Sequence, residues 1–586
     1  MVDSGDGMGP VSKGEGREES DLQAGEEVTQ GGDALPGAGD LGSDTGGGWP
    51  GRAGNRVWGR RGMVAAALVI AGAVGAAIVV TGGFIRPSGA RPAAATAPDP
   101  DPATAPQYAG FYGQTLGWSS CYPALTGPLA VQCAHVSVPV DWAHPEGQKI
   151  SLSVVRHRAS GRRIGSLLLN PGGPGTSGID FASDAVQVFG KDVLASYDVV
   201  GWDPRGVGES SPVQCPADPP SAALIDDSPD TPAELAASEQ RWRERGQACL
   251  AHTDPDLLRH VDTLSTVRDL DLLRAVLGDA KLFYYGASYG TRIGTLYAQA
   301  FPARIARMVL DSPYDPALDR RSIIEGSARG AERSLDSYLT SCPTRAGCPF
   351  QGSSLAQART RISDLLQRIE THPLSARPNP ALAKYHLQTM ISGVELQGMI
   401  KDHLYWAGAW PILDTIFAAA LHGNGDAVLK ANGNPNGFTP NGATAWNAIY
   451  CLDVPDHRTP QQQLADAIDV GRRYPVLGNL LAWDLSSCSQ WPVSPVLTPQ
   501  RITATVTTPI LIVATTKDPA TPYEWAQSLA TQLPSATLLT RDGDGHGSYH
   551  HADSPCIDTA VDTYLLHATT PPPHTTCPAP PVGSGR

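Results

Sequence analysis

A serine lies between two glycines in the stretch FYYGASYGTRIG, which covers residues 283–294. The apolar run KLFYY before Ser288 predicts a strand, and TRIGTLYAQAF after it predicts a helix. A serine on a sharp turn from a strand into a helix exposes its hydroxyl for nucleophilic attack on an acyl group. Gly286 and Gly290 leave room for that strand and helix to pack closely. We therefore predict that Ser288 is a nucleophile; the alternative is a serine in an ordinary glycine-rich turn.

A serine hydroxyl is a weak nucleophile at neutral pH and needs a base. His546, in the late stretch RDGDGHGSYH, lies where the chain order serine, aspartate, histidine would place that base. The glycines beside it allow the loop to bend toward Ser288. His550 and His551 are the alternative bases, and we interpret them as surface residues.

The base in turn needs a carboxylate that orients the imidazole and stabilises its protonated form. Asp518 directly follows the apolar run ILIVATTK, at the end of a predicted strand. Asp542 and Asp544 are the alternatives, but they lie so close to His546 in the chain that we expect them to shape its turn. We predict Asp518 as the third member of the group.

An acyl-transfer site also needs hydrogen-bond donors for the oxyanion that develops on the substrate. The stretch LLLNPGGPGTSG follows an early predicted strand, and its backbone N–H groups around Gly172 and Gly173 are candidate donors. The amide of Tyr289, directly after the predicted nucleophile, is the other expected donor. A simple Gly-Pro turn is the alternative for the early stretch.

The candidate residues lie at the ends of short apolar runs that alternate with helical patterns. Leu264, Val267 and Leu270 recur at helical spacing in LSTVRDLDLLRAVLG, which ends at Gly278. The alternation in KISLSVV, after HVSVPVDW, predicts an antiparallel hairpin. Apolar strands that alternate with helices indicate a mostly parallel sheet covered by helices on both faces. The buried runs are IGSLLLNPGG, YDVVGWDPRG, KLFYYGASYG, RIARMVLDSP, TPILIVATTKD and ATLLTRDGDGHG.

Residues 316–490 interrupt this alternation with helical patterns such as ISDLLQRIE and WPILDTIFAAALHG. They lie between the sixth and seventh predicted strands. Ligands of open parallel sheets bind at the carboxyl ends of the strands, so we expect this insertion to cover the site as a helical cap. The predicted α/β core therefore has two parts, 108–315 and 491–577, followed by a tail at 578–586.

The chain has 586 residues and a formal net charge of −14. A nucleic-acid surface would need a basic patch, so we predict no nucleic-acid partner. Residues 1–61 are rich in Gly, Asp and Glu and hold few aromatic or β-branched residues. Such a segment cannot bury enough apolar surface to offset the entropy of ordering, so we predict a disordered tail.

Residues 62–85 form an uncharged apolar run, GMVAAALVIAGAVGAAIVVTGGFI. At about 1.5 Å per residue this run can cross a hydrocarbon core about 30 Å thick. Four arginines precede it closely and two follow, so the positive-inside rule predicts a cytoplasmic N-terminus and an exported body. A signal peptide that is cleaved to release a secreted body is the alternative. Residues 86–107 are rich in Pro and Ala, which predicts a spacer.

All ten cysteines follow the apolar run, as expected of disulfides in an exported body. The chain has no CxxC pair and the spacings are long, which argues against zinc, so we predict neither a metal nor a cofactor. Sequence alone does not prove connectivity. Pairing each cysteine with its nearest neighbour would give Cys121–Cys133, Cys215–Cys249, Cys342–Cys348, Cys451–Cys488 and Cys556–Cys577.

Several motifs together resemble the exported tripeptidyl-aminopeptidase and proline-iminopeptidase group of α/β-hydrolases. They are NPGGPGTSG, GWDPRGVGES, VRDLDLLRAVLG, YYGASYGTRIGTLYAQAFPARIARMVLDSPYDP, CSQWPV and DPATPYEWA. The resemblance covers roughly residues 108–577. It implies the α/β-hydrolase fold, the roles given above to the serine, aspartate and histidine, and an oxyanion hole near Gly173 and Tyr289.

The resemblance also implies a cap that restricts substrates to free peptide N-termini. Acidic side chains of the cap would then pair with the substrate ammonium group; the alternative is that they are ordinary surface or helix-capping carboxylates. One departure from the group is Ala287, at a position before the serine where a second glycine is common; alanine is also small, so this departure is harmless. The acidic candidates are Glu325, Glu332, Glu395 and Asp453.

We therefore predict an extracytoplasmic serine exopeptidase that releases short peptides or single residues from peptide N-termini through an acyl-enzyme. An esterase or small-molecule amidase is the alternative, because the turn around Ser288 does not distinguish an ester from an amide. A catalytically inactive binding module is a third hypothesis, which the presence of every expected catalytic residue disfavours.

Overall fold

The computed structural model describes residues 105–121, 131–216, 228–377, 390–433, 441–484, 486–550 and 554–579. The strands in these ranges are β1 (Ser119–Ser120), β2 (Gln132–Pro139), β3 (Lys149–His157), β4 (Gly165–Asn170), β5 (Tyr197–Trp202), β6 (Leu282–Ala287), β7 (Ile305–Asp311), β8 (Leu374–Ser375), β9 (Met390–Ile391), β10 (Ile510–Lys517), β11 (Ala536–Asp544) and β12 (Thr576–Pro578).

Ten of these strands form one sheet in the order β1-β2-β3-β5-β4-β6-β7-β10-β11-β12. The pairs β1–β2, β2–β3 and β3–β5 are antiparallel, and every pair from β5 to β12 is parallel. The hairpin predicted from HVSVPVDW and KISLSVV is therefore confirmed as β2–β3, and the sheet is mostly parallel, as predicted.

Both faces of the sheet are buried. In β4, Leu168 joins one apolar cluster while Leu167 and Leu169 join another, because successive side chains of a strand point to opposite faces.

The described helices up to β7 are α1 (Ala109–Tyr112), α2 (Gly178–Ser183), α3 (Ala185–Val188), α4 (Lys191–Ser196), α5 (Pro232–His252), α6 (Pro255–Arg259), α7 (Thr263–Val276) and α8 (Tyr289–Ala300). The helix predicted from LSTVRDLDLLRAVLG is confirmed as α7, although Leu264 is exposed on its outer side.

Between β7 and β10 the described chain is mainly helical. Its helices are α9 (Arg320–Thr340), α10 (Leu355–Thr371), α11 (Gly393–Leu404), α12 (Trp410–Leu421), α13 (Gly425–Asn432), α14 (Gly442–Asp453), α15 (Pro460–Arg473) and α16 (Gly478–Trp483). The short strands β8 and β9 pair there in a small sheet of their own. Two further helices, α17 (Tyr523–Gln532) and α18 (Pro555–His567), flank β11 in the chain.

Most of this helical segment has its own apolar core, to which Leu335, Phe350 and Trp410 contribute. Helix α14 differs from its neighbours, because Ala445 and Ala448 join the apolar cluster of the sheet instead. We call residues 316–490 the cap; α14 is a cap helix that packs on the core.

Five disulfides form, and each joins nearest neighbours in the chain. They are Cys121–Cys133, Cys215–Cys249, Cys342–Cys348, Cys451–Cys488 and Cys556–Cys577. The pairing obtained from chain proximity is therefore confirmed.

The predicted membrane segment, residues 62–85, lies outside the described residues, as do the predicted tail at 1–61 and most of the spacer at 86–107. Within the described part of the chain, no helix is both long enough and apolar enough to cross a membrane.

Candidate active site

Ser288 lies on a strained turn between β6 and α8. Its φ of 54° and ψ of −125° are unusual for a residue with a side chain. The backbone holds this geometry from both sides, because the Ser288 N–H donates to Asp311 O at 2.9 Å and the Ser288 carbonyl accepts from Thr291 N at 2.9 Å. The sequence LFYYGASYG therefore folds into the strand–turn–helix arrangement that exposes a nucleophile.

The glycines of the turn are required by close backbone contacts. A Cβ atom at Gly290 would lie 2.4 Å from the carbonyl oxygen of Asn170, and one at Gly286 would lie 2.6 Å from Gly290 O. A Cβ atom at Gly172 would lie 2.7 Å from the Tyr289 nitrogen. The loop after β4 therefore packs directly against the turn that carries Ser288.

His546 and Asp518 form a hydrogen-bonded pair. His546 Nδ1 lies 2.9 Å from Asp518 Oδ1 and 3.0 Å from Asp518 Oδ2. The backbone N–H groups of Ala520 and Thr521 each donate to Asp518 Oδ1 at 2.9 Å, and the Thr521 hydroxyl donates to Oδ2 at 3.1 Å. These donors hold the carboxylate in place, and the carboxylate in turn orients the imidazole.

The pKa of His546 lies above the ordinary value of imidazole. Burial of the ring opposes this shift, but the negative charge of Asp518, its hydrogen bond to the ring and the charge of Asp311 together raise the pKa. The same interactions stabilise the imidazolium that forms when His546 accepts a proton.

Asp311, at the end of β7, is a buried carboxylate that positions the histidine loop. Its side chain accepts from the backbone N–H groups of Ser548 and Tyr549, at 3.0 Å each to Oδ2, and from the Tyr285 hydroxyl at 2.9 Å. We did not predict this role, although an acid at the carboxyl end of a parallel strand is a recognisable signal.

The cap also contacts the histidine. The His546 N–H donates to the Tyr405 carbonyl at 2.8 Å, and the Tyr405 ring lies edge-on to the imidazole with 5.2 Å between ring centroids. Tyr405 directly follows α11, so the position of His546 depends on the cap as well as on the sheet.

The alternative partners have other contacts. Asp542 accepts from the Thr516 hydroxyl at 2.9 Å, Asp544 Oδ2 lies 3.5 Å from Lys517 Nζ, and His550 Nδ1 lies 3.6 Å from Asp558. His551 lies outside the described residues.

The expected oxyanion donors differ in their availability. The Gly172 N–H already donates to Asn170 Oδ1 at 2.9 Å, which corrects the expectation that it faces a substrate. Tyr289 is the first residue of α8, where backbone N–H groups have no partner within the helix. Gly173 and Tyr289 both lie on the wall of the cavity that contains Ser288.

This cavity has a volume of about 530 Å³ and lies between the sheet and the cap. Ser288 and His546 both line it. Seven aromatic side chains line it: Tyr289, Tyr314, Tyr405, Trp406, Trp446, Tyr450 and Trp525. A cavity of this size suits a small organic ligand or a few residues of peptide.

None of the four predicted acidic residues is among the described residues that line the cavity. Glu325 pairs with Arg473, Glu395 caps α11 through Ser392, and Glu332 accepts from backbone N–H groups within the cap. Asp453 is fully buried beside Tyr289. The expectation that these four face a substrate is therefore wrong, and each has a structural partner.

The cavity instead presents Asp402 and Asp484, together with Lys401. Lys401 Nζ lies 3.9 Å from Asp402 Oδ1. Burial opposes ionisation of Lys401, but the two carboxylates raise its pKa above the ordinary value. Sequence reasoning missed these residues because a single aspartate in a helical pattern carries no signal of what it faces.

Among the described residues, no group of three or more His, Cys, Asp or Glu side chains is arranged to hold a metal ion.

Comparisons with known proteins agree with this geometry. The family described as "alpha/beta hydrolase fold" matches residues 165–388, and the family described as "TAP-like protein" matches residues 474–577. Serine protease Hip1 of Mycobacterium tuberculosis is 33% identical over 542 residues, which cover 88% of this chain and 99% of that protein.

Two other relatives are similar over most of the chain. Tripeptidyl aminopeptidase of Streptomyces lividans is 31% identical over 485 residues, covering 79% of this chain and 86% of that protein. Carboxylesterase B of Mycobacterium tuberculosis is 31% identical over 478 residues, covering 78% of this chain and 89% of that protein.

Proposed function

Because this chain belongs to the α/β-hydrolase family of serine peptidases that includes tripeptidyl aminopeptidase, we propose that it releases short peptides or single residues from free peptide N-termini. One observation carries the proposal beyond the family. The cavity that contains Ser288 and His546 also presents two carboxylates of the cap, Asp402 and Asp484. An aminopeptidase needs such a group for the substrate ammonium, whereas an esterase does not.

The proposed reaction proceeds through an acyl-enzyme. Ser288 Oγ attacks the scissile carbonyl carbon while His546 Nε2 takes its proton, and Asp518 stabilises the imidazolium through Nδ1–H. The backbone N–H groups of Gly173 and Tyr289 donate to the oxyanion. His546 then protonates the leaving amine. A water molecule, deprotonated by His546, attacks the ester, releases the N-terminal fragment and restores the serine.

The acidic subsite supplies the preference for a free amine. Lys401 offsets one of the two carboxylates, so Asp402, Asp484 and Lys401 together carry a net charge of about −1 when all three are ionised. A substrate ammonium near them gains charge-assisted hydrogen bonds. An acetylated N-terminus has no positive charge and gains none of these.

The five disulfides support a catalytic body outside the reducing cytoplasm. Attachment to the membrane through residues 62–85, rather than secretion after cleavage, stays our prediction from the sequence.

The test is hydrolysis of fluorogenic amides by the full chain with its disulfides intact. The panel holds single-residue, dipeptide and tripeptide amides, each with a free and an acetylated N-terminus, and a short-chain ester. We expect cleavage of free-amine amides, loss of cleavage on acetylation, and loss of all activity in Ser288→Ala. The longest fragment that is released in one step gives the number of residues removed.

Equal cleavage of free and acetylated substrates would contradict the exopeptidase proposal. Cleavage of the ester alone would favour an esterase, the alternative to which the similarity with Carboxylesterase B points.

A further inference from the structure

We infer that Asp453 is a positioning residue for the oxyanion hole: a carboxylate of the cap that holds Tyr289, whose backbone N–H donates to the oxyanion. The inference rests on the proposed acyl-transfer site, but not on which acyl substrate the site accepts.

The first observation is the set of donors that converge on Asp453. It is the last residue of α14 and is fully buried. Its Oδ1 accepts from the Thr263 N–H at 3.0 Å, and its Oδ2 accepts from the Thr263 hydroxyl at 2.5 Å. The Tyr289 hydroxyl also donates to Oδ2. The carboxylate therefore joins the ends of three helices, α7, α8 and α14.

The second observation is the position of Tyr289. Its backbone N–H directly follows the nucleophile, and its side chain extends away from the turn to Asp453. Its ring packs edge-on against Tyr450, with 5.1 Å between centroids, and against Tyr314, at 6.0 Å. Holding both ends of this residue limits the rotation of the strained turn at Ser288, and so fixes the direction of the N–H group.

The third observation concerns charge. Burial raises the pKa of Asp453 to about 6, although the neighbouring guanidinium of Arg292 and the hydrogen bonds from Thr263 and Tyr289 lower it. Arg292, one turn along α8, also donates to the Asp453 carbonyl at 3.0 Å. At neutral pH the carboxylate is therefore mainly ionised, and it accepts from all three donors at once.

These contacts make the oxyanion donor depend on the cap. Helix α14 packs its apolar side on the core and presents Asp453 to the turn. Without the carboxylate, Tyr289 keeps its place in the chain but loses the bond that fixes its orientation. We expect the loss to appear in the transition state, when the oxyanion forms, rather than in substrate binding.

The experiment compares the full chain with Asp453→Asn, Tyr289→Phe and the double variant. Tyr289→Phe keeps the backbone N–H and the ring and removes only the hydroxyl. We expect each single variant to lower kcat by about 10- to 100-fold while KM changes less than about twofold. The double variant should be no slower than the slower single variant, because both changes remove the same interaction.

Asp456→Asn is the matched control. Asp456 also has a buried carboxylate, three residues after the end of α14, but its partners are arginines. Its Oδ2 lies 2.7 Å from Arg458 Nη2 and 3.7 Å from Arg320 Nε. We expect this variant to lower the melting temperature about as much as Asp453→Asn does, with kcat within about threefold of the unmodified chain.

The rate at which a fluorophosphonate labels Ser288 is a second readout, since it needs no peptide substrate. It should fall in Asp453→Asn and in Tyr289→Phe, but not in Asp456→Asn. Unchanged kcat and labelling in Tyr289→Phe, or additive effects in the double variant, would overturn the inference. Equal losses of kcat in the two aspartate variants would assign the effect to general cap stability. If the unmodified chain is not labelled, the proposed function fails and the inference fails with it.

Discussion

The geometry of individual side chains decides which of the polar residues near the cavity can do chemistry. His546 and Asp518 are hydrogen-bonded to each other, and His546 lines the same cavity as Ser288. Of the other acids and histidines considered from the sequence, each described one has a different partner. What separates Asp518 from the other carboxylates is therefore what each one faces, not its residue type.

In the proposed mechanism, the pKa of His546 makes activity depend on pH. Protonated His546 cannot accept the serine proton, and its raised pKa keeps it protonated to higher pH than free imidazole. We therefore expect the acid limb of kcat/KM to lie above about pH 6.5, the ordinary pKa of imidazole. Asp518→Asn should shift this limb to lower pH and reduce kcat by about 1,000-fold or more. Measuring kcat/KM from pH 5 to 9 (roughly the range of histidine titration) checks both; an unmoved limb would contradict the pairing.

The acidic subsite can be tested on the same panel of substrates. Asp402→Asn combined with Asp484→Asn should raise KM for free-amine amides by about tenfold or more, because the substrate ammonium loses its charged partners. Hydrolysis of a neutral ester should change little. Glu325→Gln is the control, because Glu325 is a cap carboxylate that pairs with Arg473 away from the cavity. An equal effect on the ester would show that the variants damage the cap rather than the subsite.

At the level of elements, the site is built where the ends of several segments meet. The loop after β4 packs against the turn between β6 and α8, while the ends of β7 and β10 support the histidine loop. These contacts are so short that only glycine fits at the points of closest approach. The turn that carries Ser288 is therefore sensitive to the addition of a single methyl group.

Gly290→Ala tests this sensitivity. Its Cβ would lie 2.4 Å from the backbone oxygen of Asn170, so the loop after β4 must move. We expect unfolding to become easier by about 1–3 kcal/mol, and kcat to fall by about 100-fold. Gly398→Ala is the control, since nothing lies within 4 Å of the Cβ position within α11, and it should stabilise the protein by about 0.5–1 kcal/mol. Denaturant unfolding and kcat, measured together, distinguish the two; normal activity in Gly290→Ala would contradict the close packing.

At the level of the whole molecule, helix packing holds the cap on the core, and two disulfides lie within the cap. The Cys451–Cys488 disulfide ties α14 to the segment after α16 and spans 37 residues. The Cys342–Cys348 disulfide closes a loop of only 6. A longer closed loop restricts the unfolded chain more strongly.

Replacing each pair by alanines should reveal this difference. We expect removal of Cys451–Cys488 to lower the free energy of unfolding by about 2–4 kcal/mol. The loss on removal of Cys342–Cys348 should be smaller than that loss by about 1–2 kcal/mol. Chemical denaturation of the two double variants under oxidising conditions is the measurement. Equal losses would show that local packing, rather than loop length, dominates.

Much of the fold, and the turn that carries Ser288, could be predicted from the amino-acid sequence alone. The alternation of apolar runs and helical patterns indicated a mostly parallel sheet, and Gly286, Ser288 and Gly290 indicated the turn. These features are local: the period of a strand or helix and the backbone freedom of glycine are written in neighbouring residues. The disulfide partners also lie near one another in the chain, so proximity was sufficient to pair them.

Which carboxylates of the cap line the cavity was decided only by the tertiary structure. Asp402 and Asp484 come together from α11 and from the residue after α16, and nothing in their own neighbourhoods distinguishes them from Glu325 or Glu395. Asp453 was expected to face a substrate, and it is instead buried against Tyr289. The physical reason is that a carboxylate takes its role from what it faces after folding, and long-range packing, not local pattern, determines that.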